Sequence, residues 1–145
     1  MLTKTVKYVD FNGNERTETL NFNLTTAEVT EMEMSMVGGM TATINRIIEA
    51  QDMKELIAIF KDLILKSYGV KSLDGRQFIK NDKLREEFSQ TQAYSDLFME
   101  LATDADAAAK FVEGIMPSDY KNKEKESVAA IKDNQPKVVI NMPSE

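Results

Sequence analysis

The 145-residue chain contains no cysteine, no histidine and no tryptophan. Without cysteine it forms neither disulfides nor thiolate sites, which is compatible with a reducing compartment. Without histidine it lacks the commonest general base and the commonest transition-metal ligand. An enzyme would have to rely on Asp, Glu, Lys, Ser or Tyr alone. We therefore expect a protein that is not an enzyme and has no catalytic residue, cofactor or metal.

The chain also has fewer basic than acidic residues and no long apolar run. Its 18 Lys and Arg are outnumbered by 24 Asp and Glu, giving a net charge of −6. Nucleic acids and anionic membrane surfaces both attract basic proteins, so neither is an expected partner. No apolar run approaches the roughly 18 residues of a membrane span, and the N-terminus lacks the apolar core of a signal peptide. These features favour a soluble protein of the cytoplasm.

The N-terminal pattern predicts a β-hairpin over residues 4–24. Polar and apolar side chains alternate on both sides of Asn12-Gly13-Asn14, which is a strong turn signal. Two strands alone are marginal in water. The hairpin must therefore lie on helices, join another sheet or pair with a second copy, and pairing would give a dimer or ring.

Helical signals follow over residues 25–116. Thr25 and Glu28 form a capping box, and Thr103 with Asp106 resembles a second one. Asp52 begins the strongest helical pattern, a wide apolar stripe that implies several neighbouring helices, with Gly69 as its expected C-cap. Residues 70–82 read as a loop or a small hairpin. The predicted fold is α+β and mostly α-helical, a hairpin followed by a compact bundle of about five to six helices.

The end of the chain differs in composition. All three prolines lie in residues 117–145, where lysines and acidic side chains balance. We expect one globular domain, residues 1–117, and a flexible tail, residues 118–145. The run "KVVINM" at 137–142 is β-prone and would either add to the sheet edge of a partner or form a frayed terminus.

Methionine is the one residue type in conspicuous excess, with nine in the chain. Helical periodicity from Thr25 places Met32 and Met36 on one face, where we expect them to pack in the core, and Met34 on the other face. Methionine suits surfaces that adapt to several partner shapes. We predict that Met34, Met36, Val37 and Met40 bind a partner. Core packing is the alternative for these side chains.

No stretch carries a recognisable chemical motif. The paired glycines at 38–39 are not followed by the Lys and Ser/Thr of a nucleotide loop. Asp104 and Asp106 lack the further ligands and the glycine of a calcium loop, and acids in the first turn of a helix are explained by the helix dipole.

The stretches "KSYGVKSLDGRQFIKN" (66–81) and "LREEFSQTQAYSDLFMELATDADAAAKF" (84–111) resemble the tail assembly chaperones of long-tailed, siphovirus-type bacteriophages of Gram-positive bacteria. The resemblance extends over about residues 3–117. It implies a protein that binds the tape measure protein, keeps it soluble and helps the tail tube polymerise around it. It also implies action in the host cell cytoplasm and absence from the mature virion.

The same resemblance implies two further partners, the tail tube protein and a longer, frameshifted form of the chain itself. The alternative function is a structural virion protein, either a tail completion or a connector subunit. Such a subunit would stay in purified particles, whereas a chaperone would not.

Overall fold

A computed structural model describes residues 1–118, except for the side chains of Ile44 and Ile48. The predicted tail lies outside the described residues apart from Ser118, as does the β-prone run at 137–142. The elements, in chain order, are β1 (Leu2–Val9), β2 (Glu15–Phe22), α1 (Thr26–Met34), α2 (Gly39–Glu49), α3 (Met53–Ser67), β3 (Tyr68–Lys71), β4 (Phe78–Ile79), α4 (Asp82–Ser89), α5 (Gln92–Thr103) and α6 (Ala105–Ile115). The described part therefore confirms an α+β, mostly helical fold with an N-terminal hairpin and six helices.

The N-terminal hairpin is formed by β1 and β2, which pair antiparallel along their whole length. Its turn is organised by Asp10, whose carboxylate accepts the backbone N–H groups of Asn12 and Asn14, both at 2.9 Å. The Arg16 Nε donates to the same carboxylate at 2.6 Å. The Arg16 guanidinium, together with these N–H groups, lowers the pKa of Asp10. Gly13 supplies the positive φ, 83°, that the turn requires.

Two short strands extend the hairpin into a sheet of order β1-β2-β3-β4. The 70–82 segment is thus a small hairpin rather than a loop. The prediction that Gly69 caps α3 is wrong, because the helix ends at Ser67 and Gly69 lies in β3 opposite Asn21. A Cβ at Gly69 would lie 2.8 Å from the Phe78 ring and 2.9 Å from the Ile79 carbonyl. Glycine is needed here for close packing.

Side-chain caps set the helix starts. The Thr25 capping box is present: Thr25 Oγ1 accepts the Glu28 N–H at 3.2 Å, and the Thr25 N–H donates to Glu28 at 2.8 Å. Asp52 caps α3 as predicted. The predicted cap at Thr103 is wrong, since α5 continues through that residue. Asp104 caps α6 instead, and its carboxylate accepts two N–H groups of the first turn at 3.0 and 3.1 Å.

An ion pair joins the segment after β4 to the start of α1. Lys80 Nζ lies 2.8 and 2.9 Å from the two carboxylate oxygens of Glu28 and donates to the Asn23 carbonyl at 2.7 Å. Burial raises the pKa of Glu28, but the Lys80 ammonium and the Thr25 N–H outweigh burial, so that pKa is lowered. Burial lowers the pKa of Lys80 more than Glu28 raises it. The contact to both oxygens indicates a charged pair.

The core lies between the sheet and the helices, around Phe22. The Phe22 ring is fully buried and lies 5.2 Å from the Phe111 ring and 6.0 Å from the Phe88 ring, measured between centroids. Tyr68 stacks on Phe88 at 4.1 Å. β1 contacts α5 and α6, while α2 contacts chiefly α1 and α3. The α1–α2 segment and the first half of α3 therefore form a flank of the molecule.

Candidate partner-binding surface

The methionine-rich segment forms the end of α1, a glycine turn and the start of α2. Gly38 and Gly39 have positive φ values of 81° and 92°, a conformation that side chains with a Cβ rarely adopt. The Glu33 carboxylate reaches across this turn and accepts the backbone N–H of Met40. Because that N–H lies at the start of α2, the carboxylate acts as a cap from the preceding helix. The two helices are thus held in a fixed relation.

The four predicted contact residues occupy three different environments. Met34 and Val37 are exposed, at 82% and 83% of their possible surface. Met36 is half-buried and packs against the core, whereas Met40 is buried. Met32 is buried, which confirms its predicted place in the core. A binding role for the four residues stays a prediction, and the exposed pair is the part most accessible to a partner.

A pocket of about 260 Å³ opens between these helices and α3. Its lining consists of Met32, Met36, Met40, Ala58, Ile59, Asp62 and Leu63. We call it the methionine pocket. The term methionine surface covers this pocket together with the exposed residues Met34 and Val37. Small-molecule sites usually begin at roughly 300 Å³ and are more enclosed. The size and the flexible lining suit apolar side chains of a protein partner.

The first half of α3 also exposes apolar side chains on a face that does not line the pocket. Along one face of the helix, the exposed fraction rises from 0% at Ile64 to 41% at Ile57 and 61% at Met53. α3 contacts α2, α4 and α5, so the prediction of several neighbours is confirmed. Its N-terminal turns nevertheless extend beyond the buried core, and the wide stripe is only partly covered by the described residues.

Sequence reasoning missed the α3 side of the pocket. Ala58, Ile59 and Asp62 lie in the stretch that the sequence predicts as a helix with several neighbours, and the pattern does not mark them as a binding surface. The available signal was Asp62, an acidic residue beside a wide apolar stripe. That signal does not reveal which helix lies opposite.

Other parts of the described structure are weaker candidates for a functional site. A pocket of about 310 Å³ between β1, α5 and α6 has basic and acidic lining residues, including Lys4 and Glu100 at 3.4 Å. Residues 1–118 contain no group of three or more His, Cys, Asp or Glu arranged to hold a metal ion. Within the same range, no buried side-chain nitrogen or oxygen lacks a hydrogen-bond partner. No helix in this part of the chain is long and apolar enough to cross a membrane.

A comparison with models of known protein families identifies a match over nearly the whole chain. The family model described as phage tail assembly chaperone matches residues 1–144, nearly the whole chain. No curated protein and no solved structure matches the chain.

Proposed function

Since the chain belongs to the phage tail assembly chaperone family, we propose that it binds the tape measure protein, keeps it soluble and helps the tail tube polymerise. It does so by binding, without catalysis. It acts in the cytoplasm of the host cell and is absent from the mature virion. The tail tube protein and a longer, frameshifted form of the chain are further proposed partners.

The observation that supports this proposal is the methionine surface, which combines two exposed apolar side chains with an apolar pocket. Met34 and Val37 each leave more than four fifths of their surface in water. Burying such a side chain fully contributes roughly 1.5–3 kcal/mol. An amphipathic helix laid on this exposed pair would bury both side chains, and the pocket offers a separate apolar site for a side chain of the partner. Flexible methionines would let the surface accept successive, non-identical segments of a long helical partner.

The experiment is co-expression with the tape measure protein of the same gene cluster. Solubility of the partner and co-elution in a pull-down are measured for the native chain and for Met34→Glu/Val37→Glu. Both positions are exposed, so the charges should leave folding intact while opposing apolar contact. Met40 is unsuitable, because a buried Glu would unfold the protein.

Met99→Glu is the matched control. Met99 is also exposed, at 53%, but lies on α5, outside the methionine surface. We expect the native chain and the Met99 variant to keep the partner soluble and the double variant to fail. If the partner stays insoluble with the native chain and the chain is found in purified virions, the result would instead support a tail completion or connector subunit.

A further inference from the structure

The sheet ends at β1, and within residues 1–118 no strand lies along the outer edge of β1. In an antiparallel pair, the backbone groups of successive residues point alternately toward the partner strand and away from it. The Asp10 N–H donates to the Asn14 carbonyl at 2.8 Å, so this pair is a hydrogen-bonded one. By alternation, the N–H and C=O groups that point away from β2 belong to Thr3, Thr5, Lys7 and Val9. Such an edge is a template for a further strand.

The inward side of β1 is also incompletely covered. Leu2 and Val6 pack against the core but stay half-buried, whereas the inward residues Leu20 and Phe22 of β2 are buried. The pocket of about 310 Å³ beside Leu2 is lined by residues of β1, α5 and α6 and by none of β2. It therefore lies on the side of β1 away from β2, where it leaves room for side chains of another strand.

The sequence of the chain contains a segment with the pattern of such a strand. The run "KVVINM" at 137–142 has apolar side chains at 138, 140 and 142, and it lies between Pro136 and Pro143. β-Branched residues favour strands, and proline cannot donate to a ladder, so the two prolines delimit a strand of six residues. The other margin of the sheet, β4, is only two residues long, whereas β1 has eight. The outer edge of β1 is thus the edge that matches this run in length.

The end of α6 lies close to this edge. A Cβ at Gly114 would lie 2.9 Å from the Leu2 side chain, so the chain passes the start of β1 shortly before Ser118. Eighteen residues separate Ser118 from Lys137. An extended segment of that length spans up to roughly 60 Å, and an eight-residue strand is about 26 Å long. The run can therefore reach any part of β1, and a tether that spans the distance gives a millimolar effective concentration.

A second copy of β1 fits this edge less well. β1 carries Lys4 and Lys7 and no acidic residue, so two paired copies would bring four lysines onto neighbouring strands. Like charges on paired strands are destabilising, and lysine is one of the residues that protect edges from such pairing. The run at 137–142 brings one lysine, at its first position.

We propose that residues 137–142 pair with the outer edge of β1 in their own chain and add a fifth strand to the sheet. Their apolar face covers the half-buried side of β1, and their backbone satisfies the groups that point away from β2. This inference goes beyond the proposed function, because the contact lies within one chain and closes an edge through which copies could associate.

Amide hydrogen exchange of the full chain, followed by NMR, tests the pairing. A six-residue strand covers Thr5 and Lys7 in every register that pairs all its residues with the eight of β1. Their amides should exchange slowly in the native chain and at least about tenfold faster in Val139→Pro/Ile140→Pro. Alternate N–H groups of a strand face its neighbour, so two adjacent prolines remove a paired N–H in either register.

The matched control is Ala129→Pro/Ala130→Pro, which places two prolines after Ser118 but outside the run. Exchange at Thr5 and Lys7 should stay as slow in this variant as in the native chain. The amides of Val6 and Tyr8 point toward β2, so they should stay protected in every variant and show that the hairpin is folded.

Mixing isotope-labelled Val139→Pro/Ile140→Pro with an excess of unlabelled native chain separates pairing within one chain from exchange between copies. Slow exchange should not return, because each native run pairs with its own β1. Its return would overturn the proposal in favour of a run supplied by a second copy. Fast exchange of Thr5 and Lys7 in the native chain would overturn it as well, and so would slow exchange that survives the two prolines. None of these outcomes depends on capture of the tape measure protein.

Discussion

Gly69→Ala should destabilise the protein although alanine is accepted in most strands. The substitution adds one methyl group at a buried position, 2.8 Å from the Phe78 ring and 2.9 Å from the Ile79 carbonyl oxygen. The carbonyl belongs to the paired backbone of β4, so it cannot move without disturbing the β3–β4 pairing. Overpacking of this kind costs roughly 1–3 kcal/mol. With a urea m-value of about 2 kcal/mol per molar, the unfolding midpoint should fall by about 1 M.

The assay is urea denaturation followed by circular dichroism, with Val70→Ala as the control. Val70 is the next residue of the same strand but is 41% exposed, so its truncation should change stability by no more than about 0.5 kcal/mol. If Gly69→Ala is as stable as the native protein, the close approach to Phe78 and Ile79 is not a constraint. The explanation given for this glycine would then be refuted.

Three further outcomes are expected. Glu28→Gln should cost about 1 kcal/mol at pH 7, through the weakened cap and lost ion pair. Because the pKa of Glu28 is lowered by folding, its contribution is present above the ordinary value of 4.5 and disappears as the pH falls through the folded pKa. The stability difference between variant and native protein should therefore shrink in acid, and a constant difference would contradict the ionic role. Asp104→Ala should cost about 1 kcal/mol in thermal or urea unfolding, while Thr103→Ala should cost much less; the reverse order would restore Thr103 as the cap. Phe22→Ala should cost roughly 3–5 kcal/mol, and a smaller loss would show that the aromatic cluster is not the centre of the core.

Local signals were sufficient for much of the fold. The capping box at Thr25 and the turn around Gly13 satisfy backbone groups from neighbouring residues, so they are readable in the sequence. Gly69 is different, because its role depends on Phe78 in another strand. Asp104 and Thr103 are adjacent candidates for one cap, and the choice depends on where α5 ends.

For the candidate binding surface, too, local patterns could be predicted from the sequence but the packing between helices could not. Periodicity separated the buried Met32 from the exposed Met34, since both lie within one helix. It left open whether Met40 packs in the core or binds a partner, and it did not reveal that Ile59 and Asp62 line the same pocket. Those facts depend on how α2 and α3 pack, which local sequence does not specify.

The methionines themselves allow the most direct test of the proposed binding surface. Exposed methionines are oxidised readily to the sulfoxide, and mass spectrometry can follow each one. Met34 and Met99 are both exposed, at 82% and 53%, and lie on different helices. In a complex with the tape measure protein, oxidation of Met34 should slow strongly while that of Met99 stays unchanged. Unchanged oxidation of Met34 with protection of Met99 would contradict the account and place the partner on α5.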